Sequence, residues 1–296
     1  MSLARRIPFI LVAVLALACA GLTAAGCGSD DVSSSTNNKP AQAKADDPKD
    51  AAAAEDSAGD GELLVTYEGD MNGNAQLVKG SGLVEETATA INDRIALPSD
   101  VTIVFGGDPD GPYYDPEDAT IQYPWEFVDE TKRLLKESGY TKGEELDGAI
   151  IDATRFILSH EAAHALIDQL SLPVLGKEED AADSFASYLA VDVEDDGEGV
   201  IAASDLFGAY QDEADAEQKR DGGEPDESAF FDSHSLDGQR FYTISCHVYG
   251  ADTKRYASVV DGLDIDKDRL EECPAEYEQL STSWSTVLKP HTRDDT

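Results

Sequence analysis

The stretch from Asp147 to Leu189, DGAIIDATRFILSHEAAHALIDQLSLPVLGKEEDAADSFASYL, decides the fold. Its first part, Asp147 to Leu170, carries the longest helical pattern in the chain and is apolar through its centre. Inside it lies His160-Glu161-Ala162-Ala163-His164. Helix positions four apart share one face a turn apart, so both imidazoles are able to hold one Zn2+. Glu161, offset by one residue, then stands beside the open coordination position instead of on the ion. A carboxylate there takes a proton from a zinc-activated water. The chain holds only five histidines, and this pentapeptide uses two of them, beside small residues that leave room for an ion. Two imidazoles buried in a helix core without a partner would be costly.

Two histidines and a water leave one ligand to find. Ser171 to Lys177 reads as a turn, and Glu178-Glu179-Asp180-Ala181-Ala182-Asp183 opens a second helix continuing through Phe185, Tyr188 and Leu189. Acids in a first helical turn suit the helix dipole, which explains any one of them singly. Glu179 and Asp183 are four apart and share a face, while Ala182 and Ala186 permit a close approach to the first helix. Glu179 is therefore the expected third metal ligand, with Asp183 accepting a hydrogen bond from a ligand imidazole, His160 first. The rival assignment makes Asp183 the ligand. Glu178 and Asp180, to either side of Glu179 on the helix, are expected to face solvent.

Outward from this stretch, Leu63 to Tyr67 and Val101 to Phe105 read as strands, the second closed by Gly106-Gly107. Leu83 to Leu97 has helical spacing and stops before Pro98. Asp108 to Asp118 reads as a loop, Ala119 to Tyr123 alternates like an edge strand, and Glu126 to Ser138 is expected to be helical. This order predicts an α+β domain, a small mixed sheet packed on the helix bearing the histidines, with a mainly helical C-terminal half.

The N-terminus reads as an address. Arg5-Arg6 precedes an apolar run from Ile7 to Leu22, too short for a membrane span, and Thr23-Ala24-Ala25-Gly26-Cys27 places small residues before a cysteine. This resembles a bacterial lipoprotein signal, with Ala24 where leucine is preferred. The expected organisation is a signal peptide over 1–26, lipidation at Cys27, a flexible acidic tether over 27–61 and one domain over 62–296. Plain secretion and a retained anchor are the alternatives. Outside the cytoplasm, Cys246 and Cys273 remain as a pair and are expected to form a disulfide.

The chain has 296 residues, 41% of them hydrophobic, enough for a sizeable core and too many for a wholly disordered chain. Lys plus Arg total 22 against 61 Asp plus Glu, a formal net charge of −39. Such a surface repels phosphate backbones and anionic bilayers, so no nucleic-acid partner is expected, and membrane contact only through the lipid.

The motifs together resemble a known group. HEAAH followed by E-x-x-x-D resembles the gluzincin, thermolysin-like metallopeptidases. More closely, HEAAHALIDQLSLPVLGKEEDAADSFASYLA, HSLDGQRFYTISCHVYG and the later Arg269, Cys273, Tyr277 and Trp284 are similar to a bacterial metallopeptidase-like family without an established function. The resemblance spans about Leu63 to Leu288. It implies a zincin-like fold with an edge strand above the active-site helix, which Thr120 to Tyr123 fits. It departs in one place: Gly106, Gly107 and Pro124 stand where members often carry cysteines flanking the loop before that strand.

Stabilising an oxyanion needs a positive or protonated group. His234, Arg240 and Tyr242 lie in the one downstream segment rich in such groups, and the resemblance favours His234. Asp192 to Gly197 has the look of a calcium loop but ends on Ala203 where a bidentate glutamate is required, so it reads as an acidic loop. Tyr113, Tyr114, Tyr123 and Trp125 are able to line a cleft, although aromatics near a core more often pack. The expectation is a monomeric, extracytoplasmic, lipid-anchored zinc metallopeptidase with one Zn2+ per chain on His160, His164 and Glu179, Glu161 as general base, and a peptide or protein substrate. Two rivals stand beside it: a catalytically silent, zinc-stabilised binding lipoprotein, and a zinc hydrolase of a non-peptide amide or ester such as a cell-wall bond.

Overall fold

In the computed structural model, which describes residues 59–220, 222–223, 230–263 and 265–293, the apolar run Leu63–Tyr67 forms strand β1. Two helices follow, α1 (Gly73–Ser81) and α2 (Leu83–Asn92), and then strand β2 (Val101–Phe105). Strand β3 (Tyr113–Asp115), strand β4 (Thr120–Tyr123) and helix α3 (Trp125–Glu137) lead into α4 (Glu144–Gln169). Helix α5 (Glu178–Tyr188) passes into a π-helical turn, Leu189–Val193, before α6 (Val200–Arg220), α7 (Asp237–Ala251) and α8 (Lys267–Leu288). The signal, Cys27 and nearly all of the tether lie outside the described residues. No helix among the described residues is long and apolar enough to cross a membrane.

The sheet runs β1-β2-β4-β3, with β1, β2 and β4 parallel and β3 antiparallel to β4. This corrects two expectations. Thr120–Tyr123 is an inner strand, and the edge strand beside it is β3, inside the segment read as a loop. Three residues are too few for alternation to register in a sequence. Helix α2 also ends earlier than its apolar spacing suggests. Ile95 and Leu97 are buried by isolated bridges to Thr292 and Gly61, and their burial served the spacing without a helix.

Helix α4 is the hub, packed by α1, α2, α3, α5, α6 and the sheet. It is buried without interruption from Phe156 to Ala163, as expected of a helix surrounded on all sides. Ala182 and Ala186 are fully buried where α5 meets it, so their small side chains permit the close approach. At the end of β2, Gly106 has φ +84, and a Cβ there would strike Trp125 Nε1 and the Glu68 carbonyl. The absent side chain lets the Trp125 indole donate to that carbonyl at 2.9 Å. Cys246 on α7 and Cys273 on α8 are joined by a disulfide. Gly250 approaches the Cys273 carbonyl so closely that a Cβ would clash. Trp284 Nε1 donates to Ser184 Oγ at 2.8 Å, pinning α8 to the helix that carries Glu179 and Asp183.

Candidate metal centre

Helix α4 projects His160 and His164 from one face, one turn apart, and the first turn of α5 brings Glu179 onto them. Three atoms form a nearly equilateral triangle. His160 Nε2 is 3.2 Å from His164 Nε2 and 3.2 Å from Glu179 Oε2, and His164 Nε2 is 3.3 Å from Glu179 Oε2. A four-coordinate ion with bonds of about 2.0–2.1 Å demands ligand separations of about 3.3 Å. These separations are compatible with a bound metal ion. His234, from the loop before α7, stands 2.9 Å from the same Glu179 oxygen through Nε2. His160, Glu179 and His234 also form a group whose ligand atoms lie within 4.8 Å of one another.

Each of the three rings turns its other nitrogen to a carboxylate. His160 Nδ1 meets Asp183 Oδ1 at 2.8 Å, His164 Nδ1 meets Glu178 Oε1 at 2.8 Å, and His234 Nδ1 meets Asp232 Oδ1 at 3.1 Å. A proton held on Nδ1 by a carboxylate leaves the Nε2 lone pair free for an ion and makes it more basic. Asp183 is thus the orienting partner of His160, and its carboxylate is itself held by Arg240 through Nε at 2.8 Å and Nη2 at 2.7 Å. Glu178 is exposed as expected, and from the start of α5 it also reaches His164. Asp180 is likewise exposed and accepts from Ser235 Oγ at 2.7 Å. Sequence reasoning missed Glu178 and Asp232 as ring partners. The signal for Asp232 was its place two residues before His234, where its carboxylate also accepts the His234 backbone N–H at 2.8 Å.

The electrostatics call for a cation. Burial alone would raise the Glu179 pKa, and hydrogen bonds to His160, His164 and His234 overcome this and hold it far below the carboxylate range. Burial disfavours a charged His160, yet Asp183 and Glu179 raise its pKa to about 9. The carboxylates thus favour positive charge at the imidazoles. Glu161 is 6% exposed and makes no hydrogen bond or ion pair among the described residues. Its pKa is raised by burial, against the pull of His160 and His164.

Two cavities meet here. One, of about 420 Å³, is bounded by Tyr113 and Tyr114 of the edge strand together with His160, Glu161, His164 and Glu179. The other, of about 770 Å³, shares His160, Glu161 and His234 and extends along α6. Of the aromatics considered earlier, Tyr113 and Tyr114 therefore border the site, while Tyr123 and Trp125 are core. Tyr242 borders neither cavity and is exposed, and Arg240 is engaged by Asp183. The acidic segment is tied to α8, Asp192 accepting from Tyr277 and Ser281.

The sequence model of a family described as "Putative metallopeptidase" matches residues 67–288, which include every residue of this centre. The chain belongs to that family. No curated protein and no solved structure matches the chain. Membership in the metallopeptidase family and the group of metal-capable side chains agree at that coarse level: a hydrolase of the metallopeptidase kind, with His and Glu donors at its centre.

Proposed function

We propose that this protein is a zinc-dependent peptidase in which His160, His164 and Glu179 hold one Zn2+ and Glu161 moves the proton. The observation that carries the reading is the triangle of donor atoms at 3.2–3.3 Å, each imidazole backed by a carboxylate, with a buried carboxylate next to it. Two nitrogens and one oxygen in that geometry suit zinc, which when bound supplies Lewis acidity and a water acidified to near neutral pH.

The remaining roles belong to the chain. Glu161, its pKa raised by burial, accepts a proton from the attacking water and passes it to the leaving amine. His234, held at Nδ1 by Asp232, in its protonated form donates from Nε2 to the oxygen on which charge develops. Asp183 and Glu178 hold the two α4 imidazoles in register. Strand β3 pairs only with β4 among the described residues and borders the cleft, so its free edge offers backbone groups to an extended peptide. The N-terminal reading adds an extracytoplasmic, lipid-anchored location through Cys27.

The test is metal content, followed by hydrolysis. The full chain purified without chelator should carry about one zinc, lost in Glu179→Ala, and should cleave members of a diverse peptide pool in a chelator-sensitive way. Absence of zinc after add-back would end the zinc reading. Zinc without cleavage of any peptide would leave a metal-stabilised module.

A further inference from the structure

The 770 Å³ cavity beside Glu161 has two unlike parts. Its inner wall is apolar, built from Ile157 of α4 and Phe207 and Tyr210 of α6, with Phe127 of α3. Its carboxylates are Glu161, Asp215, Glu217, Asp232 and Asp237, and its cationic groups are Arg240 and the imidazoles of His160 and His234, which belong to the centre already described. The Arg240 guanidinium is already spent, with two of its nitrogens on Asp183 and its face 3.9 Å from the centre of the Phe207 ring.

The carboxylates are not equivalent. Asp215 accepts from Gln211, Asp232 holds His234, and Glu217 pairs with Arg220 at the exposed end. Asp237, in the first turn of α7, is partly buried and has no hydrogen bond or ion pair among the described residues. Burial raises its pKa despite Arg240 and His234 nearby, the mark of a carboxylate short of compensating charge. A ligand that fits needs an apolar stem for the aromatic wall and a cation at its end. Lysine and arginine side chains have that construction. A leucine-like side chain would desolvate Asp237 without compensation, and an acidic one would be repelled.

We infer that this cleft selects peptides bearing a lysine or arginine side chain beside the cleaved bond, with Asp237 receiving the cationic end. The inference rests on the peptidase reading for its substrate class. The net charge of −39 adds long-range attraction for such peptides, screened by salt.

The experiment separates binding from turnover. Peptides identical except for Lys, Arg, norleucine or Glu, scanned through each position, are titrated against the full-chain Glu161→Gln variant with and without Asp237→Asn. Lys and Arg peptides should bind at least about 10-fold more tightly than norleucine peptides at one position. That ratio should fall below about threefold with Asp237→Asn and return with Asp237→Glu. Melting temperature and zinc content of the Asp237 variants check that the fold is intact. Equal binding of Lys and norleucine peptides, or a Lys advantage that survives Asp237→Asn, overturns the inference. The wild-type chain loaded with zinc is assayed for cleavage in parallel. Selective binding without cleavage keeps the cation pocket and removes the peptidase reading. Cleavage without a Lys or Arg preference does the reverse, and neither binding nor cleavage overturns both.

Discussion

Replacing Asp183 with asparagine tests how the centre is held. The carboxylate is 4% exposed and accepts three charge-assisted hydrogen bonds, two from Arg240 at 2.8 and 2.7 Å and one from His160 Nδ1 at 2.8 Å. Burial works against its charge, but Arg240 and His160 outweigh it and hold the pKa at about 2. Set against an ordinary aspartate, this is a preference of roughly 2–3 kcal/mol for the charged form. The sign follows: a depressed carboxylate pKa stabilises the fold above about pH 4, and the benefit is lost as pH falls toward 2. Asparagine keeps one acceptor and turns its N–H2 toward Arg240 in either orientation, and toward His160 as well in one of them, leaving the guanidinium buried with half a partner. Loss of one member of a buried pair costs about 3–5 kcal/mol. Loss of the orienting carboxylate weakens metal binding by about 10–100-fold. Urea unfolding with chelator at pH 7 reads the first quantity, and competition against a chromophoric chelator reads the second. In a double-mutant cycle with Arg240→Met, the coupling should exceed about 1.5 kcal/mol. A stability loss below about 1 kcal/mol together with unchanged zinc affinity would refute the assignment of Asp183 as the linchpin of this centre.

Three further outcomes are expected. Glu161→Gln should keep stoichiometric zinc and lose about 100- to 10,000-fold in kcat with little change in fold, read by metal analysis and a peptide assay; full activity would remove Glu161 from proton transfer. Asp152, on the outer part of α4, is raised to about 7 by burial and then by Asp196. A raised acid stabilises the fold below about pH 4 and loses that benefit as pH climbs through 7, so Asp152→Asn should stabilise the protein at pH 8 by about 2–4 kcal/mol and hardly at pH 4. A variant-minus-wild-type difference that is flat across pH in urea unfolding would contradict this. Removing the Cys246–Cys273 disulfide by a double Cys→Ser exchange should destabilise the domain by about 3–4 kcal/mol, from the loop closed by a sequence separation of 27. Unfolding midpoints unaffected by the exchange would show that α7 and α8 do not depend on it.

What was legible in the sequence was local. Helical periodicity alone places His160 and His164 on one face, Glu161 beside them, and Glu179 and Asp183 on one face of the next helix. Each pairing spans about one turn, and geometry over one turn is a property of the backbone. The strands at Leu63–Tyr67 and Val101–Phe105 were legible because their short runs are rich in β-branched, aromatic and other apolar residues. Packing decided the rest. Arg240 reaches Asp183 across 57 positions, and Ser187 meets His247 across 60. The three-residue edge strand exists because β4 offers it a ladder, and Glu178 finds His164 because α5 enters at that angle. Such contacts cost chain entropy that only a formed core can repay, so no short-range pattern announces them. The sequence by itself determined that His160 and His164 share one helix face and that Glu179 and Asp183 share another. The tertiary structure alone decided which carboxylates hold their rings, which strand is the edge, and where an uncommitted charge was left in the cleft.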